Sequence, residues 1–402
     1  VTRVAARTNW LPGNDVHLLR GGGEFFPALC EAIGRAKRSV HIETYIYSHD
    51  ASGECVVQSL QAAARRGVDV RVALDGFGSA STADELVRLL TEAGGRCNVY
   101  RPERGGRYRF ALSRQRLRRL HRKTAVIDEE VGFVGGINIL DDNTDPNHGH
   151  LEHPRFDFAV RITGPLVADI AHSQRRLWAK LEWARTRMRP ASWAKAFGPM
   201  KRSTSTPPSG HMRAALITRD NLRNRQSIEQ GYLDAIGRAS RDIIIANAYF
   251  FPGHAFRKAL RQAAARGVRV RLLLQGMVEY RLQHMASRSL YESLLKSGIE
   301  IYEYMPSILH AKVAVIDDYA TVGSSNLDPF SLLLAREANV VVADKKFAAQ
   351  LRGELELAIK VGGKQMLAEE FGRLGWMSRL GHRIAYTLLR IAVALTGKGD
   401  NY

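Results

Sequence analysis

Two segments of this 402-residue chain carry the same spacing, and any fold it adopts must accommodate both. The first runs Leu120-His121-Arg122-Lys123, then Asp128, then Gly135-Gly136-Ile137-Asn138. The second runs Leu309-His310-Ala311-Lys312, then Asp317, then Gly323-Ser324-Ser325-Asn326. Each is His-x-Lys-x4-Asp followed by a small-small-x-Asn element. A single short match is weak, whereas two extended copies in one chain indicate duplication. The rest of the sequence repeats too. Glu31–Val40 returns as Asp234–Ile243, His41–Tyr47 as Ile244–Phe250, and Ala62–Val72 as Gln262–Leu272. Each half reads helix, strand, helix, glycine turn, strand, helix, then the motif strand. Such alternation gives an α/β fold. We expect two similar lobes, each a mixed β-sheet with helices on both faces. A pseudo-two-fold axis would relate them, with one motif from each meeting at a single site between the lobes.

Thr124–Ile127 and Val313–Ile316 are apolar and partly β-branched, so both read as buried strands. Side chains two apart on a strand share a face, so His121 and Lys123 point one way, as do His310 and Lys312. Asp128 and Asp317 fall seven positions after each histidine. Strand parity therefore puts them off that face, at a turn, where they hold local structure. Gly135-Gly136 and Gly323-Ser324 let backbone approach a ligand closely, and Asn138 and Asn326 each present an amide.

Two imidazoles, two ammonium groups and two amides converging on one point suit a phosphodiester. The lysines and amides would stabilise the non-bridging oxygens as charge builds. One imidazole would attack phosphorus. The other would protonate the leaving oxygen and deprotonate the acceptor. Side chains supply the cations, so neither a metal nor another cofactor is expected. The residues alone do not assign which histidine attacks.

The formal charge of +19 attracts polyanions, meaning nucleic acid or an anionic membrane surface, and charge alone does not separate them. The basic stretch Arg101–Arg122, with Tyr108 and Phe110 interleaved, leads into the first motif. It is expected at the mouth of the pocket, with a solvated helix face as the alternative. In Trp376–Val393, Arg379, Arg383 and Arg390 recur beside Trp, Met, Leu and Ile, the composition of an interfacial helix. A helix packed on the core is the alternative. No run of eighteen apolar residues exists, so no membrane span is expected. Cys30, Cys55 and Cys97 show no metal-binding spacing and read as reduced packing residues. The expected division is a first lobe over 1–184, a basic Pro/Ser linker over 185–212, a second lobe over 213–360 and an amphipathic tail over 361–402.

The doubled motif resembles that of the phospholipase D superfamily. Glu43–Ile46, Leu74–Ser79, Phe133–Asn138, Ala246–Gly253 and Ala320–Pro329 resemble, in particular, the bacterial cardiolipin synthase B family. The resemblance implies catalytic roles for His121, Lys123, Asp128, His310, Lys312 and Asp317. It implies substrate contacts by Gly136, Asn138, Ser324 and Asn326, and no metal. It also carries a histidine-orienting role to Asp157 and Glu337, which open strands downstream of the two motifs. Family analogy makes His121 the nucleophile and His310 the acid and base. The implied reaction moves a phosphatidyl group from phosphatidylglycerol onto a histidine, then to a second phosphatidylglycerol or another alcohol, releasing glycerol. The implied setting is peripheral, on the cytoplasmic face of a bacterial cell membrane containing phosphatidylglycerol and cardiolipin, without a nucleic-acid partner. Oligomeric state is not legible. A hydrolase or nuclease of the same superfamily is the rival enzyme; a non-catalytic scaffold is the other rival, opposed by two intact motifs. One departure stands out. Five residues separate Asp317 from Gly323, against six between Asp128 and Gly135, so the half-sites are not equivalent.

Overall fold

The computed structural model describes residues 8–102, 118–145, 148–186, 206–220, 224–328, 335–372 and 376–395. The first lobe comprises β1 (Leu11–Arg20), α1 (Gly21–Arg35), β2 (Ser39–Thr44), α2 (Ala51–Arg65), β3 (Asp69–Asp75), α3 (Ala83–Glu92), β4 (Arg96–Tyr100), β5 (Thr124–Ile127), β6 (Val131–Gly135), a small hairpin of β7 (Thr144–Asp145) and β8 (Gly149–His150), β9 (Phe158–Thr163) and α4 (Leu166–Arg185). The second comprises β10 (Met212–Arg219), α5 (Ser227–Arg238), β11 (Asp242–Asn247), α6 (His254–Ala265), β12 (Arg269–Gln275), α7 (Arg281–Arg288), α8 (Tyr291–Leu295), β13 (Glu300–Tyr304), β14 (Lys312–Ile316), β15 (Tyr319–Gly323), β16 (Glu337–Ala343), α9 (Lys345–Gly362), β17 (Gly363–Met366), α10 (Ala368–Gly372) and α11 (Trp376–Leu395).

The repeated Arg-Gly-Val segments show how duplicated sequence becomes duplicated structure. Gly67 and Gly267 sit at φ 85° and 87°, ending α2 and α6 in the left-handed region that glycine tolerates. The preceding Arg66 and Arg266 each donate to carbonyls at the end of the neighbouring helix, to Gly34 at 3.0 Å and Ile236 at 2.9 Å. The same chemistry thus closes the same turn in both lobes.

Strand order in the first lobe is β4-β3-β2-β5-β6-β9-β1, and the second repeats it as β13-β12-β11-β14-β15-β16-β10, with β17 added outside β13. β2, β3 and β4 run parallel, while β5 lies antiparallel to β2; β11 to β14 repeat this arrangement. β1 pairs with β10, joining the halves into a sheet of 15 strands. Among the described residues, three large cores and a small one around Leu120 and Trp178 hold this together. α1–α3 cover one face of the first lobe with Leu29, Val56 and Leu86 against Ile42 and Val72. α5 and α6 cover the second with Tyr232 and Phe256 against Ile245 and Leu272. A shared core then packs Val126 and Val160 with Val313 and Val340, beneath residues of α4 and α9. That common apolar interior fixes the lobes relative to each other. The expected architecture is the observed one.

Two sequence expectations are corrected. The second lobe does not end at 360: β17 pairs with β13, and Phe371, Ala385 and Leu389 belong to the second lobe's core. Helix α11 therefore packs on the protein, yet Ile384, Leu388 and Ile391 on its outer face are exposed. The packed reading of the tail is borne out on one side of the helix, and the other side is left exposed. Cys55 is exposed rather than packed, and its sulfur lies 3.1 Å from that of Cys30. Of the linker, 187–205 lie outside the described residues, while Ser209 is tied back to the first lobe through Gly13 and Thr163.

Candidate active site

Antiparallel pairing of β5 with β2 and of β14 with β11 puts the start of each motif strand beside the C-terminal end of a parallel strand. His121 and His310 both lie at that end. Their leading residues are anchored alike. The Leu120 N–H donates to Asp75 Oδ2 at 2.7 Å, and the Leu309 N–H to Gln275 Oε1 at 3.0 Å. The leaders then cross between lobes. The His121 N–H donates to the Arg336 carbonyl at 3.0 Å, and the His310 N–H to the Phe156 carbonyl at 2.9 Å. Leu120 bridges Arg336, and Leu309 bridges Phe156. Each motif is thus stitched to the residue just before the other lobe's carboxylate.

That stitching decides which carboxylate serves which histidine. His121 Nδ1 lies 3.1 Å from Glu337 Oε2 and 3.1 Å from the Ser324 carbonyl. His310 Nδ1 lies 2.6 Å from Asp157 Oδ2. Each imidazole is held by the opposite lobe. A carboxylate acceptor at Nδ1 puts the ring proton there and leaves Nε2 to meet a substrate. Gly136 and Ser324 stand behind the two carboxylates. A Cβ at Gly136 would collide with the Asp157 carboxylate. Ser324 instead donates its hydroxyl to Glu337 Oε2 at 2.5 Å and accepts the Ala338 N–H at 3.0 Å.

The imidazoles keep 14% and 16% exposure, whereas Lys123 and Lys312 are buried, so the histidines open toward solution above the lysines. Lys123 Nζ donates to the His121 carbonyl at 2.8 Å, and Lys312 does the same to the His310 carbonyl. Burial, then the neighbouring Lys312, lowers the Lys123 ammonium to about 7. Burial lowers Lys312 to about 8, against the pull of Asp157 and Glu337. Burial also lowers His121, and lowers His310 well below the usual imidazole range with help from both lysines. Asp157 is raised to about 6 by burial. Crowded, desolvated cations of this kind await a counter-charge, and an anion in the pocket would raise all four basic groups.

Asp128 and Asp317 hold turns, as strand parity indicated. Asp128 accepts backbone N–H groups of Lys37, Arg38 and Ser39 at 2.7–2.8 Å. Asp317 accepts those of Ser240, Arg241 and Asp242 at 2.8–3.1 Å. Burial alone would raise both carboxyls, yet these donors hold them below the usual range. Each lies at the far end of its strand, roughly 20 Å from its histidine at strand rise. The catalytic role implied for them is therefore corrected to a structural one. The shorter second turn does not displace Asn326. Ile127 pairs with Val131 but Ile316 with Tyr319, so the turn absorbs the missing residue, and Gly135 and Gly323 meet equivalent strands. Asn326 is buried, and Asn138 accepts the Ile46 N–H at 3.2 Å.

Much of the basic stretch, 103–117, lies outside the described residues. Arg119 stacks over Phe77 at 4.7 Å, near Asp75 at 3.9 Å. Arg122 does not line the mouth. Parity turns it inward, where it is buried against Glu43 at 3.5 Å and donates to Ser173 at 2.7 Å. Sequence reasoning missed Tyr45, whose ring meets His121 edge-on at 4.8 Å and carries Lys123 over its face at 5.3 Å. It also missed the hydrogen bond from Tyr249 to Glu279, 2.6 Å. Both tyrosines sit in the Glu43–Ile46 and Ala246–Gly253 passages, just past strand ends, which was the available signal.

A family model described as "Cardiolipin synthase, PLD-like domain" matches residues 29–151 and 232–358, one copy per lobe. Cardiolipin synthase B of Escherichia coli (strain K12) is 37% identical over 97% of this chain and 91% of its own length. Cardiolipin synthase A of Pseudomonas putida (strain GB-1) is 30% identical over 94% of this chain and 75% of its own. Among solved structures, phosphatidylserine synthase from Haemophilus influenzae Rd KW20 superimposes with a TM-score of 0.70 over 98% of both chains at 15% identity, a likeness of fold. With its two motifs, matched lobes and near-full-length relatives, the chain belongs to the cardiolipin synthase family of the phospholipase D superfamily.

Proposed function

We propose that this chain transfers a phosphatidyl group from phosphatidylglycerol, through a phosphohistidine, to the hydroxyl of a second phosphatidylglycerol or another alcohol, releasing glycerol. The observation that carries the reading is the crossed pair of histidine–carboxylate contacts, which leaves each Nε2 for a substrate on two imidazoles that both feel the charge of both buried lysines. In the first step His121 Nε2 forms a bond to phosphorus as the bond to the glycerol oxygen breaks. His310 gives its Nε2 proton to that oxygen. In the second step His310 takes the acceptor's hydroxyl proton, the new oxygen–phosphorus bond forms, and His121 is released. Lys123, Lys312, Asn138 and Asn326 would stabilise the non-bridging oxygens, while Gly136 and Ser324 would act through the carboxylates they back. The incoming phosphodiester charge would raise His310 into the range where it can donate a proton.

We read the enzyme as peripheral, on the cytoplasmic face of a bacterial cell membrane, with phosphatidylglycerol and cardiolipin as its lipids. Its relatives are bacterial, and no helix among the described residues is long and apolar enough to cross a membrane. The test is to supply phosphatidylglycerol labelled in its phosphatidyl group in mixed micelles and identify the products. Label in cardiolipin with release of free glycerol is expected. Label only in phosphatidic acid would mean that water is the acceptor and the chain a hydrolase.

A further inference from the structure

Large apolar side chains exposed on this molecule are not scattered. The parallel strands β3, β12 and β13 all finish at the end where the two histidines lie. Phe77 follows β3, while Val278, Tyr280 and Leu282 follow β12, and Met305 follows β13; all five are exposed. Leu357 and Val361 occupy the last turns of α9, beside Tyr304 and Pro306 at the same end. There they line a cavity of about 1250 Å³ shared with Phe26 and Phe156, the residue before Asp157. Helix α11 joins this surface. Its Tyr386 ring packs 5.3 Å from that of Phe251, just beyond β11, and its other face presents Ile384, Leu388 and Ile391 at helical spacing. Arg383 and Arg390 each precede one of those residues and are exposed. Of the exposed large apolar residues described, Leu367 alone lies elsewhere, past Met366, which pairs with Ile301 at the opposite end.

Exposed apolar side chains gathered at one end of a molecule, with cations beside them on α11, mark an interaction site. We propose that the catalytic end of the molecule, together with the outer face of α11, docks on an anionic phospholipid bilayer so that the pocket opens toward the lipid. The charge of +19 complements an anionic surface and repels a second copy of the chain. This inference rests on the reading that the substrates are phospholipids, and it supplies an orientation that the reading lacks. A substrate would slide from the membrane into the pocket without crossing water.

The test compares the full chain with L282D in α7, L388D on α11 and L367D at the opposite end. Binding is measured to vesicles of equimolar phosphatidylglycerol and phosphatidylcholine, and to phosphatidylcholine alone. L282D and L388D should each weaken binding to the anionic vesicles roughly tenfold, since a charge replaces an inserted apolar group. L367D should bind as the parent does, and phosphatidylcholine alone should bind poorly. All three should keep the parent's turnover of water-soluble dihexanoyl phosphatidylglycerol. Parent-like binding by L282D and L388D, or equal weakening by L367D, would overturn the docking surface. So would light scattering that finds a dimer broken by L282D and L388D, because the surface would then belong to a second copy. A parent chain that binds vesicles as expected yet converts no soluble lipid would instead overturn the proposed reaction and leave the surface standing.

Discussion

The two half-sites share a skeleton and differ in their support. Among the described residues, His310 rests on one short contact to Asp157, 2.6 Å, and Asp157 is backed by a glycine and by the Phe158 N–H. His121 rests on a longer-armed carboxylate, Glu337, and also on the Ser324 carbonyl, while the Ser324 hydroxyl steadies Glu337. Glycine with aspartate in one half does the work of serine with glutamate in the other. Duplication supplies two imidazoles in one pocket, but the different surroundings make them unequal partners. The half with a single acceptor should be the more fragile.

Removing either imidazole bears hardest on this comparison. H121A and H310A should each lower phosphatidyl transfer on the order of 10⁴-fold or more, with unchanged thermal unfolding, because nucleophile and acid–base act as a unit. Near-parent turnover in either variant would break the shared-site account. Next come the orienting carboxylates. D157N should cost on the order of 10³-fold in kcat and E337Q on the order of 10², since His121 retains the Ser324 carbonyl. Steady-state kinetics that reverse the order would show that the second acceptor does not matter. G136A should behave like D157N because its Cβ displaces the carboxylate, whereas S324A should cost only about tenfold.

Charge in the pocket offers a gentler probe. Lys123 and Lys312 lose their protons as pH rises through about 7 and about 8, and only the protonated forms attract an anion. Sulfate does not titrate in this range, so its affinity by calorimetry should fall about tenfold between pH 6.5 and 9. A flat profile would place the anion elsewhere. The smallest effect on catalysis is expected at the turns. D128N and D317N should each lower stability by about 2 kcal/mol through weakened backbone acceptors, while kcat stays within about twofold. A collapse of kcat at parent stability would restore a catalytic role to these aspartates.

Much of this was legible in the sequence, for identifiable reasons. Strand parity separated the His–Lys pair from Asp128 and Asp317, because side-chain alternation is a local property. The duplicated helices and glycine turns gave the lobes. The crossed assignment of Asp157 to His310 and Glu337 to His121 was not readable, because it depends on two backbone bridges between lobes that no local pattern encodes. Arg122 looked like part of a basic strip, yet its parity opposite His121 and Lys123 sends it into the first lobe against Glu43. In α11 the apolar periodicity was real, but one helix carries both a buried stripe at Ala385 and Leu389 and an exposed one at Ile384 and Leu388.

The division of labour within the shared pocket can be read with a phosphodiester whose leaving group needs no proton. A short-chain diacylglycerol p-nitrophenyl phosphate releases a stable phenolate, so its first step requires a nucleophile but no acid. H310A should give a burst of about one phenolate per enzyme and then stop, with the adduct on His121 by mass spectrometry, because nothing remains to activate the acceptor. H121A should give no burst. A burst from H121A with the adduct on His310, or sustained turnover by either variant, would contradict the account.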